Sequence, residues 1–165
     1  MALISNIGAG IFTTLKYIAD ANTTLPTNDT EHQTFVGTGG DFETPTAVTN
    51  IREFPSFGKP ANIVNVPVYG SAVSSQVQGQ ADAPSLEFTL NYVPGDHSAL
   101  QALVQNGSTY VFQIDVKNSA TGDNAAFYVK GQVASFEVAP NLTDSTTATL
   151  TIATEGDYVG PFANA

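Results

Sequence analysis

Apolar and polar positions alternate with a period of two through much of the chain's second half. Leu86, Phe88, Leu90 and Tyr92 interleave with Glu87, Thr89 and Asn91, and Tyr110, Phe112, Ile114 and Val116 interleave with Gln113, Asp115 and Lys117. Because successive side chains of an extended chain point to opposite faces, each run reads as a strand with one buried and one wet face. Between the two runs, Asp96 is placed to cap a short helix through Leu100 and Leu103, and Gly107 to end it in a left-handed turn. A turn at Thr121-Gly122-Asp123-Asn124 leads into Phe127, Val129, Gly131 and Val133, after which the apolar parity shifts to Phe136 and Val138. A bulge near Ala134 accounts for the shift. The Ala139-Pro140-Asn141 turn then separates this strand from Ala148, Leu150 and Ile152, closed by Gly156-Asp157.

The first half is less regular. Residues 11–19 alternate around Phe12, Leu15 and Ile18, and Ile63–Tyr69 is rich in β-branched residues, with Pro67 confining it to an edge or a bulge. In residues 20–60, Thr, Asn, Gly and Pro crowd around short apolar pieces. The segment reads as one extended loop, unusually long for a compact domain, that is either disordered alone or ordered by a partner. Gly37, Gly39 and Gly40, with Phe42 behind them, mark its tip.

Composition narrows the class. The chain has 165 residues, enough for one domain over 1–165, and is 42% apolar with ten Phe and six Tyr, too apolar for disorder. Only 12% of residues are charged, so Thr, Ser, Asn and Gln must cover the surface, which suits a mainly β protein. Fifteen acidic against five basic residues leave a net charge of −10, which repels phosphate backbones and anionic lipid. No run approaches a membrane span, and Met1–Gly8 lacks a basic start, so an intracellularly made soluble protein with no membrane partner is expected.

Chemistry is sparse. The absence of Cys removes thiolate nucleophiles, disulfides and thiolate metal sites. The glycines at Gly8-Ala9-Gly10, Gly37–Gly40 and Gly58 do not continue into phosphate-binding patterns. His32 and His97 lack a metal-ligand spacing, and His97 reads as a surface residue in the first turn of the short helix. Asp41/Glu43 and Glu155/Asp157 read as solvated loop charge. No catalytic residue, metal or cofactor is expected.

From Phe57 the text becomes specific. The runs Phe57-Gly58-Lys59-Pro60-Ala61-Asn62-Ile63-Val64-Asn65-Val66-Pro67-Val68-Tyr69-Gly70, Gln78-Gly79-Gln80-Ala81-Asp82-Ala83-Pro84-Ser85-Leu86 and Leu90-Asn91-Tyr92-Val93-Pro94 come first. The short helix, Tyr110-Val111-Phe112, and Phe127-Tyr128-Val129-Lys130-Gly131-Gln132-Val133-Ala134-Ser135-Phe136-Glu137 follow in order. Over about residues 55–160 the chain resembles the major tail tube proteins of long-tailed, non-contractile bacteriophages. The resemblance implies a β-sandwich or barrel with one short flanking helix and a long loop. It also implies a structural subunit of the virion tail, assembled in the host cytoplasm into hexameric rings that stack into a hollow tube. Implied partners are further copies of the chain, a tape measure protein, and the tail terminator and distal tail proteins, with viral DNA passing through without specific binding. In such a tube the 20–60 loop is an inter-ring arm, and Glu87 and Asp115, on polar strand faces, are candidate lumen-facing acids. The alternative is a surface or secreted β-sandwich module that recognises carbohydrate or protein.

Overall fold

A computed structural model describes residue 3 and residues 10–20, 22–58, 61–119 and 123–163. The Thr121-Gly122 half of the expected turn, Lys59-Pro60 and most of the first nine residues lie outside these. Along the chain come β1 (Thr14–Ala19), α1 (Asp29–Val36), β2 (Thr46–Val48), β3 (Ile51–Glu53), β4 (Ala61–Val66), β5 (Ser75–Ala81), β6 (Leu86–Asn91), α2 (Pro94–Leu103), β7 (Tyr110–Lys117), β8 (Asn124–Ala139) and β9 (Thr147–Phe162). The fold is mainly β, as the alternation predicts. Among the described residues, no helix is long and apolar enough to cross a membrane.

Seven strands form one antiparallel sheet in the order β2-β1-β7-β8-β9-β6-β3. Its two edge strands, β2 and β3, are consecutive in the chain and separated only by Thr49 and Asn50. Two edges joined by so short a link must lie close together, so the sheet curls into a nearly closed barrel. Inside it pack the inward residues of the alternating runs: Leu15, Leu86, Phe88, Leu90, Phe112, Ile114, Val129, Leu150 and Ile152. The bulge expected near Ala134 is present. Val133 pairs with Ile152 and Ser135 with Thr151, leaving Ala134 as the extra residue that re-aims Phe136 toward the core. Gly131 is required where β8 and β9 press together, since a Cβ there would lie 2.6 Å from the Ala153 carbonyl oxygen.

The helix between β6 and β7 begins three residues earlier than the Asp96 cap predicts. Val93 is the capping position, with no side-chain cap bond, and Pro94 opens the helix, where its missing N–H costs nothing. Asp96 lies in the first turn and accepts a hydrogen bond from the Asn50 side chain at 3.0 Å. His97 is fully buried, contrary to the surface position expected. Its Nδ1 accepts from the Val93 N–H at 3.2 Å, so Nε2 carries the proton and donates to the Thr49 carbonyl at 3.0 Å. The helix thereby holds the link that closes the barrel.

The largest correction concerns residues 20–60. The segment is not one extended loop; it contains α1, β2 and β3. Asn28 caps α1 by accepting from the Glu31 N–H at 2.9 Å, while the Glu31 carboxylate reaches back to the Thr27 N–H and hydroxyl at 2.8 and 2.7 Å. These reciprocal bonds satisfy helix-end donors otherwise left to water. α1 buries His32 and Phe35 against the outer face of β7 and β8, forming a second apolar cluster with Phe42, Val111, Ala126, Tyr128 and Phe162.

Leu150→Ala, in the barrel, is expected to lower unfolding free energy by about 2–5 kcal/mol in chemical denaturation. Leu142→Ala, at a fully exposed turn residue, should change it by no more than about 0.5 kcal/mol.

Candidate assembly surfaces

Strands β4 and β5 pair only with each other and stand apart from the barrel sheet. Nearly every residue of both is exposed. The expected strand Ile63–Tyr69 ends at Val66, where Pro67 breaks the ladder. Ile63 is 60% exposed, Tyr69 at the tip is fully exposed, and Val64, Val66, Val68, Val73 and Val77 are also open. Residues 61–81 carry no charged side chain. An isolated two-stranded ribbon is marginal in water, and β-branched residues on an uncharged ribbon with two open edges form a template for pairing with another chain.

The predicted tip of the loop is divided by the structure. Gly37, Gly39 and Gly40 lie in the turn after α1, whereas Phe42 is buried, 2% exposed, stacked on Phe35 at 5.6 Å and edge-on to Tyr128 at 5.5 Å. Phe42 thus anchors α1 to the sheet and is not available as part of an arm. Gly40 is needed because a Cβ there would lie 2.2 Å from the Thr34 carbonyl oxygen. An open groove of about 420 Å³ runs beside α1, floored by Leu25, Pro26 and Phe35 and rimmed by Glu31 and Asp41.

The two candidate lumen acids separate as well. Glu87 is exposed on β6, and the register places it beside Thr151 of β9 and, one strand further, Ser135 of β8. In the next row, Thr89, Thr149 and Glu137 are neighbours. This outer face is therefore a hydroxyl-rich surface bearing two exposed carboxylates, Glu87 and Glu137. Glu137 was not picked out from the sequence, although the parity shift at Ala134 places it outward. Asp115 is fully buried, where it accepts from the Asn124 amide at 2.7 Å and lies 3.2 Å from the Lys117 ammonium. It belongs to the subunit's interior, not to a wetted wall. The polar positions of β7 look like a wet face only until α1 covers them.

The same covered face holds a chain of hydrogen bonds. Gln113 Nε2 donates to the Tyr128 hydroxyl at 2.7 Å, the hydroxyl lies 2.8 Å from His32 Nε2, and His32 Nδ1 lies 3.0 Å from the Ala163 carbonyl. Burial pushes the Tyr128 hydroxyl far up from its ordinary pKa, so it stays protonated. At the end of β1, burial raises the Asp20 carboxyl, but the Lys130 ammonium at 2.9 Å and the Thr23 N–H outweigh it and hold the group below its ordinary value. Among the described residues, no group of three or more His, Asp or Glu side chains could hold a metal ion.

Comparisons with known proteins identify the family of this nearly closed antiparallel barrel with its flanking helices and separate ribbon. A family model described as lambda phage tail tube protein matches residues 69–159, more than half of the chain. The chain belongs to that family and is a structural protein of a phage tail. The match begins at the ribbon's tip and ends within β9, so α1 and the barrel closure lie outside it. Among solved structures, a chain of the cryo-EM structure of the anti-feeding prophage (AFP) baseplate, 6-fold symmetrised, has a TM-score of 0.56 at 10% identity. The match covers 95% of this chain and 97% of that one, and it shows a shared fold. A comparison with curated protein sequences returns no match.

Phe42→Ala should cost about 3 kcal/mol, with faster hydrogen exchange at residues 29–36 and 159–163. Tyr69→Ser, on a side chain that touches nothing in the subunit's core, should leave the denaturation curve of the isolated subunit unchanged.

Proposed function

We propose that the chain acts as one tail tube domain, that six copies close into a ring, and that the rings stack into a hollow tube through which viral DNA passes. The observation that carries this reading is the ribbon β4–β5, whose apolar side chains and strand edges are open to solvent in the subunit. A surface patch of this kind calls for a protein partner. In a chain of net charge −10, an uncharged segment is also where copies meet with least repulsion. A contact between the ribbon and a different surface of the next copy is heterologous and propagates, as rings and stacks require. The family assignment supports a tube, and the six-fold symmetrised assembly containing the structural neighbour supports six as the ring number. The ribbon takes over the role of inter-ring arm expected of residues 20–60. A tape measure protein inside the tube and terminator and distal proteins at its ends complete the proposed set of partners, in a virion tail assembled in the host cytoplasm.

The charge balance suits passage without gripping. Six subunits carry a formal charge of about −60, and a low-dielectric wall concentrates the part facing a pore. We assign the Thr- and Ser-rich face bearing Glu87 and Glu137 to the lumen. It offers phosphates hydroxyls and like charge, and the neighbouring cation, Arg52 on β3, is paired with Asp144 at 3.6 Å.

Native mass spectrometry and electron microscopy should find six-membered rings and tubes. Val68→Asp combined with Val73→Asp should abolish them while the subunit keeps its melting temperature. A wild-type chain that stays monomeric at high concentration and binds a carbohydrate or protein through its loops would favour the binding-module reading. Glu87→Lys with Glu137→Lys should leave tubes intact and slow DNA ejection at low salt, with recovery as salt screens the new contacts. Unchanged, salt-independent ejection would place this face elsewhere than the lumen.

A further inference from the structure

α1, the last residues of β9 and Ala163 converge on one imidazole, beside the Phe35–Phe42–Tyr128 packing and an Ala163 N–H to Asp29 contact at 3.4 Å, and the imidazole's proton arrangement follows from its partners. The Ala163 carbonyl can only accept, so His32 Nδ1 must carry a proton. In the neutral ring, Nε2 is then an acceptor, and the Tyr128 hydroxyl 2.8 Å away donates to it. That leaves the Tyr128 oxygen to accept from the Gln113 amide. Every proton in the chain Gln113 to Tyr128 to His32 to Ala163 has an acceptor, and the network ties together β7, β8, α1 and the segment after β9.

The surroundings are built for a neutral ring. His32 is fully buried, stacked on Phe162 at 5.3 Å and packed against Tyr128, whose ring also meets Phe35 and Phe42 edge-on. The charged groups that bear on it are Asp29, one turn back on α1, and Asp115, on β7, which is paired with Lys117. β8 contributes the neutral Tyr128 hydroxyl, and the chain end contributes the Ala163 carbonyl. A second proton on His32 would turn Nε2 into a donor facing the Tyr128 oxygen. The hydroxyl proton would then have to find another acceptor, which requires the Gln113 amide to turn over. It would also place a charge in a site shut off from water.

We propose that His32 is a proton-operated latch: neutral, it holds α1 and the chain end on the barrel, and protonated, it releases them while the barrel stays folded. The two clusters of the subunit are distinct, the barrel interior on one side of the sheet and the α1 cluster on the other, so the second can open without the first. Burial holds the imidazole below its ordinary value of 6.5, against the opposing pull of the Ala163 carbonyl, Asp29 and Asp115. A histidine with a depressed folded-state value stabilises the closed form fully above the unfolded value, and this contribution is lost as pH falls toward the folded one. The latch is therefore tight at neutral pH and weakens in acid.

Hydrogen exchange on the full chain, corrected for the intrinsic pH dependence of exchange, tests this. Protection at residues 29–36 and 159–163 should fall about tenfold per pH unit below about 6.5 and level off once His32 is protonated in the closed form. Residues 86–91 and 147–152 should keep their protection. His32→Gln retains an amide able to accept from Tyr128 and donate to Ala163 but cannot titrate, so its exchange should lose the pH response. The same acid release in H32Q would assign the sensing to Asp29 or Asp115 and overturn the proposal, as would simultaneous loss of protection throughout the barrel. If H32Q does not fold, ring nitrogen NMR of the wild-type chain decides. An Nδ1–H tautomer, with a titration midpoint in the pH range where protection is lost, is expected. An Nε2–H tautomer, or titration of His32 with residues 159–163 still protected, would overturn it.

Discussion

Closure of the barrel at Thr49-Asn50 is the constraint on which the rest of the subunit depends. β2 and β3 are three residues each, too short to hold the edges of a seven-stranded sheet by their own ladders. The link between them is gripped from three directions: His97 donates to the Thr49 carbonyl, the Asn91 N–H donates to the Asn50 carbonyl at 2.8 Å, and the Asn50 side chain bonds Asp96. Asn50 itself sits in the left-handed region at φ 59°, a conformation asparagine tolerates better than most residues. With this corner held, the inward residues of β1, β6, β7, β8 and β9 face a common interior. Without it, the same alternating strands would make an open sheet with an exposed apolar face.

Closure leaves the outer side of the barrel with two different surfaces. Over β6, β9 and the far end of β8, it is threonine, serine and carboxylate, able to face water indefinitely. Over β7 and the near end of β8, it is Val111, Ala126 and Tyr128 interspersed with Gln113 and Asp115, and it needs a lid. α1 with Phe42 is that lid. The polar groups it buries are tolerable because each named one has a partner: the Tyr128 hydroxyl for Gln113, Asn124 and Lys117 for Asp115, and Ala163 and Tyr128 for His32.

The buried apolar packing and the exposed, uncharged ribbon occupy separate parts of the chain. The barrel and the α1 cluster contain the buried apolar residues, while the uncharged ribbon contributes none to either cluster. A subunit arranged this way can fold without its neighbours and keep a sticky element in reserve. The acidity of the remainder makes chance encounters between copies repulsive, whereas residues 61–81 carry no charge.

Read alone, the amino-acid order determined the strands whose alternation reports one buried face: β6, the first half of β9, the bulge at Ala134 and the inward half of β7, whereas β9 continues past the expected stop at Gly156-Asp157 to Phe162. It also set the acidic balance and the family resemblance from Phe57 onward. α1 was in principle legible from Asn28 and Glu31 at capping-box spacing, but an eight-residue helix with only His32 and Phe35 on its inner face gives little periodic signal. The tertiary structure alone decided that Asp115 is interior while Glu87 is not, that His97 is buried, and that the free element is the ribbon instead of the 20–60 segment. The physical reason is common to all three. Periodicity tells which side chains share a face of a strand, but whether that face meets water depends on what packs over it from elsewhere in the chain. For β7 that cover is a helix seventy-odd residues upstream, for His97 the corner at Thr49, and for the ribbon none of the strands among the described residues.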